Sequence, residues 1–267
     1  MMAKIRLDAF LVESGLCESR EKAKSCIMSG VVYVEGQKAE KPGMQIDPLS
    51  NVSIKDEGSQ YVSRGAYKLL KALESFSISP EGKTCIDIGA STGGFTEVLL
   101  EQGAKKVYAV DVGYGQLAWK LRKDKRVCVM ERTNARYLEK KDFPEDIELA
   151  VMDLSFISLE LVLPAVKEIV SEGADVICLI KPQFEAGREF VSKRGVVFDP
   201  QVHEQVIFKF LHFAAELGLI PIELTYSPIK GPAGNIEFLV RLTKSKNVKT
   251  HIRINEVVRL AHEDLNQ

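Results

Sequence analysis

The chain has 267 residues, 45% of them hydrophobic, and a formal net charge of −1. This length suits one large or two smaller domains, and the composition allows a sizeable core. No apolar run approaches the roughly 18 residues that a membrane-spanning helix needs, and the N-terminus MMAKIRLDAF has no signal-peptide core. We therefore expect a cytoplasmic protein without a membrane segment.

Charge and cysteine usage narrow the function classes further. A net charge near zero excludes a uniformly basic nucleic-acid-binding protein, so any contact with a polyanion has to come from a local patch. The cysteines are odd in number and far apart, and no two of them form a Cys-x-x-Cys pair. We expect free thiols in a reducing compartment and no metal site.

The first 60 residues have the pattern of a small α+β domain. Apolar spacing predicts helices over residues 6–15 and 20–29; Gly15 ends the first, and Gly30 follows the second. Short strands are predicted at 31–34 and within 45–54. This segment holds 8 basic and 9 acidic residues, so it is charge-balanced as well.

This segment resembles the alpha-L RNA-binding module of one small-subunit ribosomal protein, of pseudouridine synthases and of some tRNA synthetases. The resemblance rests on Arg6-Leu7-Asp8, Leu11, Gly15, Ser19-Arg20, Ala23, Ile27, Gly30, Val32, Val34, Gly36 and Lys41-Pro42. It departs at Glu35, where the family usually has asparagine. It implies RNA contact through the basic residues Lys4, Arg6, Arg20, Lys22 and Lys24. The alternative for these charges is a solvated helix face.

A polar stretch at 56–60 predicts the boundary between two domains, 1–60 and 61–245, and residues 246–267 read as a tail. Helical spacing resumes over 61–77, with Ala66, Leu69, Leu70 and Leu73 on one face. Lys68 lies between these apolar residues. It is either an ordinary solvent-pointing lysine or part of a site.

Strands and helices alternate from residue 84 to residue 242. Strands are predicted at 84–88, 106–111, 127–131, 147–153, 175–181, 220–226 and 236–242, and helices at 94–102, 116–123, 159–170 and 200–217. This rhythm predicts an α/β fold with a mostly parallel, Rossmann-like sheet that has helices on both faces. In such sheets, ligands bind at the carboxyl ends of the strands, near the point where the strand order reverses.

A glycine loop follows the first of these strands in the stretch TCIDIGASTGGFT. It is not a G-x-G-x-x-G fingerprint. The neighbouring acids Asp87 and Asp111 would repel a pyrophosphate but suit an amine and ribose hydroxyls, so S-adenosylmethionine is favoured over a dinucleotide. The alternative is that both acids are only turn residues. Candidate cofactor-binding residues are Asp87, Gly89, Ser91, Gly93, Gly94, Phe95, Asp111 and, for the adenine edge, Asn134.

Four charged residues are expected at the same edge of the sheet. Asp153 and Lys181 end the fourth and fifth strands. In methyltransferases that this pattern resembles, the last strand runs antiparallel between the fifth and sixth, which brings Glu237 to the ligand edge. Together with Lys68 these residues form a neutral cluster, as buried charges require. A second lysine and a sulfonium would favour neutral Lys181, a base for a ribose 2′-hydroxyl; a structural ion-pair network is the alternative.

The Lys-Asp-Lys-Glu set, in RGAYKL, VMDLSF, LIKPQFE and GNIEFLV, resembles that of FtsJ-like ribose 2′-O-methyltransferases. With the front module, residues 3–243 resemble the TlyA-type family, often labelled hemolysin. This implies a seven-stranded methyltransferase sheet with its last strand antiparallel, S-adenosylmethionine as cofactor, and 2′-O-methylation of cytidine in ribosomal RNA. It assigns catalysis to Lys68, Asp153, Lys181 and Glu237, with Asp153 also beside the cofactor. A membrane-active hemolysin and a non-catalytic assembly factor are the competing hypotheses.

Two regions have no firm assignment. Residues 184–200 carry Arg188, Lys193 and Arg194. They are either a loop that closes over RNA or a plain surface insertion. We add Arg64 to the candidate RNA-binding residues. An amphipathic pattern predicts a helix over 255–265 that either packs on the domain or frays.

Overall fold

The computed structural model describes residues 4–17, 19–28, 30–54, 61–245, 248, 250 and 252–266. They divide into an N-terminal unit, Met1–Gln60, and a C-terminal unit, Tyr61–Gln267. The boundary stretch 56–60 and the predicted helix end at residue 29 lie outside the described residues.

The N-terminal unit is built from two helices and two small sheets. Its elements are β1 (Ile5–Arg6), α1 (Leu7–Glu13), α2 (Arg20–Met28), β2 (Val32–Val34), β3 (Gln37–Lys38), β4 (Gln45–Ile46) and β5 (Val52–Ile54). β1 pairs with β4, and β2 lies between β3 and β5, all antiparallel. Leu7 and Leu11 on α1 pack with Ile27 on α2 and Val32 on β2 in one core.

The C-terminal unit alternates strands and helices. Its elements are α3 (Ala66–Ser75), β6 (Thr84–Ile88), α4 (Gly94–Glu101), β7 (Lys106–Val110), α5 (Trp119–Arg122), β8 (Val127–Met130), β9 (Ile147–Met152), α6 (Leu163–Ile169), β10 (Val170–Ile180), α7 (Pro182–Glu185), α8 (Pro200–Leu217), β11 (Ile220–Tyr226), β12 (Phe238–Thr243) and α9 (Ile254–Leu265), with 3-10 turns at Ala135–Tyr137, Lys140–Asp142, Leu159–Leu161 and Arg188–Phe190.

The seven strands of this unit form one sheet in the order β11-β12-β10-β9-β6-β7-β8. β6 to β10 are parallel to one another, and β12 runs antiparallel between β10 and β11. The predicted methyltransferase-like sheet with an antiparallel last strand is therefore confirmed. The strand order reverses at β6, which has β7 on one side and β9 on the other, so the crevice beside β6 is where a ligand is expected.

Alternating side chains of β6 face two different layers. Ile86 and Ile88 join the cluster that contains α6, α8 and α9, whereas Cys85 joins the cluster beneath α3 and α4. The sheet is therefore covered on both faces, as its near-continuous apolar strands require. Asp87 has the parity of Cys85 and lies on the α3 and α4 side.

Several predicted bounds were too wide. The strands that precede Asp111 and Asp153 end one residue before those acids, and β12 begins at Phe238, so Glu237 precedes the strand instead of being its second residue. The helix predicted over 116–123 is only the four residues of α5, because Ala118, its N-cap, has an extended backbone. β10 is longer than predicted and starts at Val170, directly after α6, with a register shift before Asp175.

The C-terminal helix packs on the sheet unit. α9 lies against α8 and β11, and Val258 and Ala261 on its inner face are buried. Of the two possibilities left by the sequence, packing is therefore the correct one. Among the described helices, none combines the length and the apolar character needed to cross a bilayer.

Candidate active site

Four charged side chains alternate in sign at the carboxyl edge of the sheet. Lys68 Nζ lies 2.6 Å from Glu237 Oε2 and 3.9 Å from Asp153 Oδ2. Lys181 Nζ lies 2.6 Å from Asp153 Oδ1 and donates a hydrogen bond to Ser155 Oγ at 2.9 Å. The Lys181–Asp153 contact is an ion pair at an angle outside the hydrogen-bonding range, so Asp153 Oδ1 has no hydrogen-bond donor in the described part of the chain.

Burial sets the electrostatics of this cluster. Lys68 and Glu237 are 6% and 0% exposed, so the solvent-pointing alternative for Lys68 is wrong. Burial lowers the pKa of Lys68, but the carboxylates of Asp153 and Glu237 outweigh it, and the net pKa is raised. Burial raises the pKa of Glu237 more than the two lysines lower it. Each charge depends on its partner, because an unpaired buried ion is costly.

Close backbone approaches allow the cluster to form. A Cβ on Gly231 would meet Glu237 Oε1 at 2.5 Å, so the absence of a side chain there leaves room for the carboxylate. A Cβ on Gly89 would overlap the main-chain oxygen of Asp153, and Gly89 has φ +88°. The glycine loop and the end of β9 are therefore in direct contact, which places the loop beside Asp153.

The glycine loop opens α4. Gly93 is the N-cap in the left-handed conformation, with φ +98°. The Ser91 N–H donates to Asp111 Oδ2 at 2.8 Å, and the Gly113 N–H donates to Asp111 Oδ1 at 2.7 Å. Asp111 thus joins the loop after β6 to the loop after β7. Gly94 packs against residues 63–66, where a Cβ would collide with Ser63 Oγ.

Asp87 is the buried acid of this site. It is fully buried, and Thr96 Oγ1 donates to its Oδ2 at 2.6 Å. Its Oδ1 has no partner among the described residues. Burial raises the pKa of Asp87 to about 7, with Thr96 lowering it and the Asp153 carboxylate raising it further. A buried carboxylate oxygen without a partner is stabilised when a cation or a hydrogen-bond donor binds to it.

Two other predicted cofactor residues, Phe95 and Asn134, make contacts within the protein. The Phe95 side chain is 4% exposed within the cluster under α3, so it belongs to the core. Asn134 is exposed, and its Oδ1 accepts from the Arg136 N–H at 3.1 Å, which caps a 3-10 turn. A turn cap explains this asparagine without a ligand, and its contact with adenine stays a prediction.

These residues suit S-adenosylmethionine. The orphaned Asp87 oxygen matches the amino group, and Asp111, at the end of β7, is placed for ribose hydroxyls. The left-handed glycines let the backbone approach the ligand closely. The carboxylates also disfavour a pyrophosphate, which agrees with the preference drawn from the sequence.

The segment between α7 and α8 is fixed by buried anchors. The Asn235 side chain donates to Gly195 O at 2.8 Å and accepts from the Val197 N–H at 3.0 Å. His203 Nε2 donates to Val197 O at 3.1 Å, so its Nδ1 accepts from His262 Nε2 at 3.0 Å. Burial lowers the pKa of His203 to about 4, which keeps this ring neutral.

We name this segment, residues 186–199, the basic arm. The exposed residues Arg188, Lys193 and Arg194 lie on it. Arg64 is exposed just ahead of α3, and its charge lowers the pKa of Lys68, so it is electrostatically close to the cluster.

In the N-terminal unit, a buried acid organises two of the predicted RNA-binding residues. Asp8 is fully buried, and its carboxylate lies 2.9 Å from Arg6 Nη2 and 3.3 Å from Arg20 Nη2. The hydrogen bond from Arg6 lowers the pKa of Asp8 to about 2, against the effect of burial. Both guanidinium groups remain about half exposed, at 47% and 53%. Lys4, Lys22 and Lys24 are exposed as well.

Two features of the site were missed from the sequence. Ser155 holds Lys181, and Phe156, the next residue, is 91% exposed with φ +64°. Its ring contacts Phe184 at 5.2 Å between centroids, and Lys181 Nζ lies 6.0 Å from the Phe184 centroid. An exposed aromatic side chain with a strained backbone beside a charged cluster indicates a functional role. The sequence DLSF alone does not predict the exposure of the Phe156 side chain or its backbone φ.

Comparison with known proteins agrees with this geometry. The model of the FtsJ-like methyltransferase family matches residues 61–244, and that of the S4 domain matches residues 5–49. The chain is 53% identical to the protein YqxC of Bacillus subtilis, over 90% of this chain and 85% of that protein. It is 47% identical to the 16S/23S rRNA (cytidine-2′-O)-methyltransferase TlyA of Mycobacterium tuberculosis, over 91% of each chain.

A solved structure also covers the whole chain. A protein from Streptococcus thermophilus that bears the name hemolysin is 47% identical, covers 100% of this chain and 98% of its own, and superposes with a TM-score of 0.78. The family model covers more than half of the chain, and the relatives match both units. The chain therefore belongs to the S-adenosylmethionine-dependent FtsJ-like methyltransferases, in their TlyA-type family, which joins an S4 domain to the methyltransferase sheet.

Proposed function

We propose that this protein transfers a methyl group to the ribose 2′-hydroxyl of a cytidine in ribosomal RNA. The observation that carries the proposal is the Glu237–Lys68–Asp153–Lys181 chain, which lies at the same sheet edge as the glycine loop and Asp87. The name of the TlyA relative supports cytidine and ribosomal RNA as the acceptor. Because that acceptor is part of the ribosome, we also propose that the protein acts in the cytoplasm.

On the donor side, Asp87, the glycine loop and Asp111 would hold the cofactor. S-adenosylmethionine supplies an electrophilic methyl group on a positively charged sulfur. Asp87 offers its unpartnered Oδ1 to the amino group, and Asp111 offers its carboxylate to the ribose hydroxyls. The direct contact between Gly89 and the Asp153 main chain keeps the donor and acceptor halves of the cleft together.

On the acceptor side, Lys181 is the proposed base. A ribose hydroxyl is a poor nucleophile until its proton leaves, so a neutral Lys181 Nζ would accept that proton as the oxygen bonds the methyl carbon. The bond between sulfur and the methyl group would break at the same time, and the sulfur would leave as S-adenosylhomocysteine. Asp153 and Ser155 fix the position of Nζ.

Lys68 and Glu237 have a supporting role in this scheme. Their 2.6 Å contact holds both side chains in a buried position beside Asp153. Lys68 Nζ, 3.9 Å from Asp153 Oδ2, attracts that oxygen, while the other oxygen of Asp153 lies beside Lys181. Holding the hydroxyl in line with the bond that breaks is expected to supply much of the rate.

RNA capture is assigned to two sets of basic residues. In the S4 domain, Asp8 holds Arg6 and Arg20 as a fixed pair of guanidinium groups, and Lys4, Lys22 and Lys24 add exposed charge. In the methyltransferase unit, Arg64 and the basic arm lie near the catalytic cluster. Preorganised guanidinium groups bind phosphates at a low entropic cost.

The direct test is the transfer of tritium from methyl-labelled S-adenosylmethionine to purified small subunits, large subunits and protein-free ribosomal RNA. We expect incorporation by the wild-type chain and a loss of at least about 100-fold with Lys181→Ala. Lys209→Ala, which alters an exposed lysine on α8, is the matched control and should retain activity. Absence of transfer to all three substrates would leave a cofactor-binding assembly factor as the better description.

A further inference from the structure

Three exposed aromatic side chains lie where β7 and β8 end. Tyr114, Trp119 and Tyr137 are 69%, 66% and 70% exposed. Tyr114 and Trp119 follow β7, and Tyr137 follows β8. Large aromatic rings are costly to expose, and a group of them usually marks a binding surface.

A basic side chain lies over each ring. The Arg132 guanidinium is 4.2 Å from the Tyr114 centroid, Lys123 Nζ is 4.9 Å from that of Trp119, and the Arg136 guanidinium is 5.7 Å from that of Tyr137. Across the described residues, no carboxylate lies within ion-pairing distance of these three cations. We name the six residues the aromatic platform.

The platform is preformed by hydrogen bonds between its two loops. The Arg132 N–H donates to Gly113 O at 3.0 Å, and the Thr133 N–H donates to Asp111 O at 3.0 Å. Two acids next to the platform residues in sequence have other partners: Glu131 accepts from the Gly115 N–H at 2.9 Å and pairs with Arg122, and Asp124 pairs with Arg126 at 2.8 Å. The three cations of the platform are therefore not neutralised by these acids.

RNA is the partner that this chemistry favours. Its repeating unit presents a flat base and a phosphate, which match an aromatic ring and an adjacent cation. A protein partner would need three acids placed against three unpaired cations. The platform also adjoins Asp111, at the donor side of the cleft, and three strand spacings separate β9 from β8, a distance of about 14 Å.

We propose that the aromatic platform stacks bases of the substrate RNA that flank the methylated nucleotide. This inference rests on the proposed function, because it takes the acceptor to be an RNA that enters at Asp153 and Lys181. The RNA then extends from the acceptor residues at the end of β9 to the loops that follow β7 and β8, past the cleft assigned to the cofactor. The methyltransferase unit would thus hold the strand by itself, in addition to the S4 domain.

Trp119 is the single tryptophan of the chain, so its emission reports on the platform directly. Protein-free ribosomal RNA is titrated into the wild-type chain without cofactor, and binding is measured in parallel on filters. We expect the emission to fall and to saturate together with filter binding. S-adenosylhomocysteine alone should leave it nearly unchanged.

Variants separate stacking from charge. Tyr114→Ala and Tyr137→Ala should each weaken RNA binding at least about fivefold, because each variant loses a ring on which a base can stack. Arg132→Gln should lower the slope of log affinity against log salt by about one. Phe208→Ala and Lys209→Gln, which alter an exposed ring and an exposed lysine on α8, are the matched controls and should change neither value.

Constant Trp119 emission at RNA concentrations that saturate filter binding would overturn the inference. So would platform variants that bind RNA like wild type, or that lose affinity for S-adenosylhomocysteine instead, since the rings would then belong to the cofactor site. Failure of the wild-type chain to bind RNA would overturn it too. Binding and quenching without methyl transfer would support the stacking of RNA bases on the platform and would refute the proposed function alone.

Discussion

Lys68 Nζ and Glu237 Oε2 lie 2.6 Å apart although 169 residues separate them in the sequence. Lys68 is on α3, at the start of the methyltransferase unit, and Glu237 immediately precedes β12. Their ion pair is buried on both sides. It therefore depends on complete assembly of the sheet, and it connects the formation of the fold to the formation of the site.

Lys68→Met should destabilise the protein by about 3 kcal/mol, because Glu237 would be left as an unpaired buried charge. Urea unfolding followed by circular dichroism measures this change. Methyl transfer should be lost at the same time.

Lys68→Met combined with Glu237→Gln is the matched comparison for that prediction. It removes both charges, so part of the lost stability should return while activity remains absent. Additive destabilisation by the two substitutions would show that the pair is not coupled as the distance indicates.

Cofactor binding should depend on pH through Asp87. Burial raises the pKa of this carboxyl to about 7 in the free protein, so it is protonated below that pH. Pairing with a cationic amino group requires the ionised form. The affinity should therefore level off above about pH 8 and be about tenfold weaker at pH 6, with proton release on binding in that range.

Calorimetry in two buffers of different ionisation enthalpy measures both quantities. Asp87→Asn should bind more weakly, without this pH dependence. An affinity of the wild-type protein that is flat between pH 6 and 8 would exclude the role assigned to Asp87. The raised pKa also has a stability consequence, since the ionised buried carboxylate costs free energy that disappears as the pH falls from 7 towards 4.

The strand ends were the most predictable part of the site. Polar residues directly after apolar runs placed Asp87, Asp111, Asp153 and Lys181 at one edge, because parallel strands end together. The predicted order of strands also brought Glu237 to that edge. The residues around Lys68 in the sequence could not show whether its side chain is exposed or part of the site. Its burial depends on a partner far away in the sequence.

Other determinants have no sequence signature at all. Phe156 has a positive φ, which its residue type disfavours. The Asn235 side-chain amide both donates to and accepts from the backbone of a segment about 40 residues away in the sequence. Such features follow from tertiary packing and not from local propensity. For the same reason, the ambiguous stretch 184–200 proved to contain the last two residues of α7 and an anchored arm.

Phe156→Gly should lower the kcat/KM for RNA at least about fivefold if the exposed ring stacks on the target base. Its unfolding free energy should be unchanged or higher, because glycine relieves the positive φ. Phe156→Tyr keeps the ring and should restore activity. Equal activity of the glycine variant would remove Phe156 from the acceptor side.

Asn235→Asp should release the basic arm. An aspartate cannot donate to Gly195 O, and the loss of this buried bond is expected to cost about 1–3 kcal/mol. The KM for RNA should rise, while the affinity for S-adenosylhomocysteine stays near the wild-type value. Asn255→Asp, at the exposed start of α9, is the control. A fall in kcat at unchanged KM would mean that Asn235 acts through Glu237 and not through the arm.

The chemical position of the transferred methyl group tests the central claim most directly. Ribosomal RNA from the transfer reaction is digested to nucleosides and resolved by mass spectrometry, with the Lys181→Ala reaction as the blank. The Glu237–Lys68–Asp153–Lys181 site predicts 2′-O-methylcytidine in the wild-type reaction alone. A methyl group on a base, or 2′-O-methylation that persists with Lys181→Ala, would contradict it.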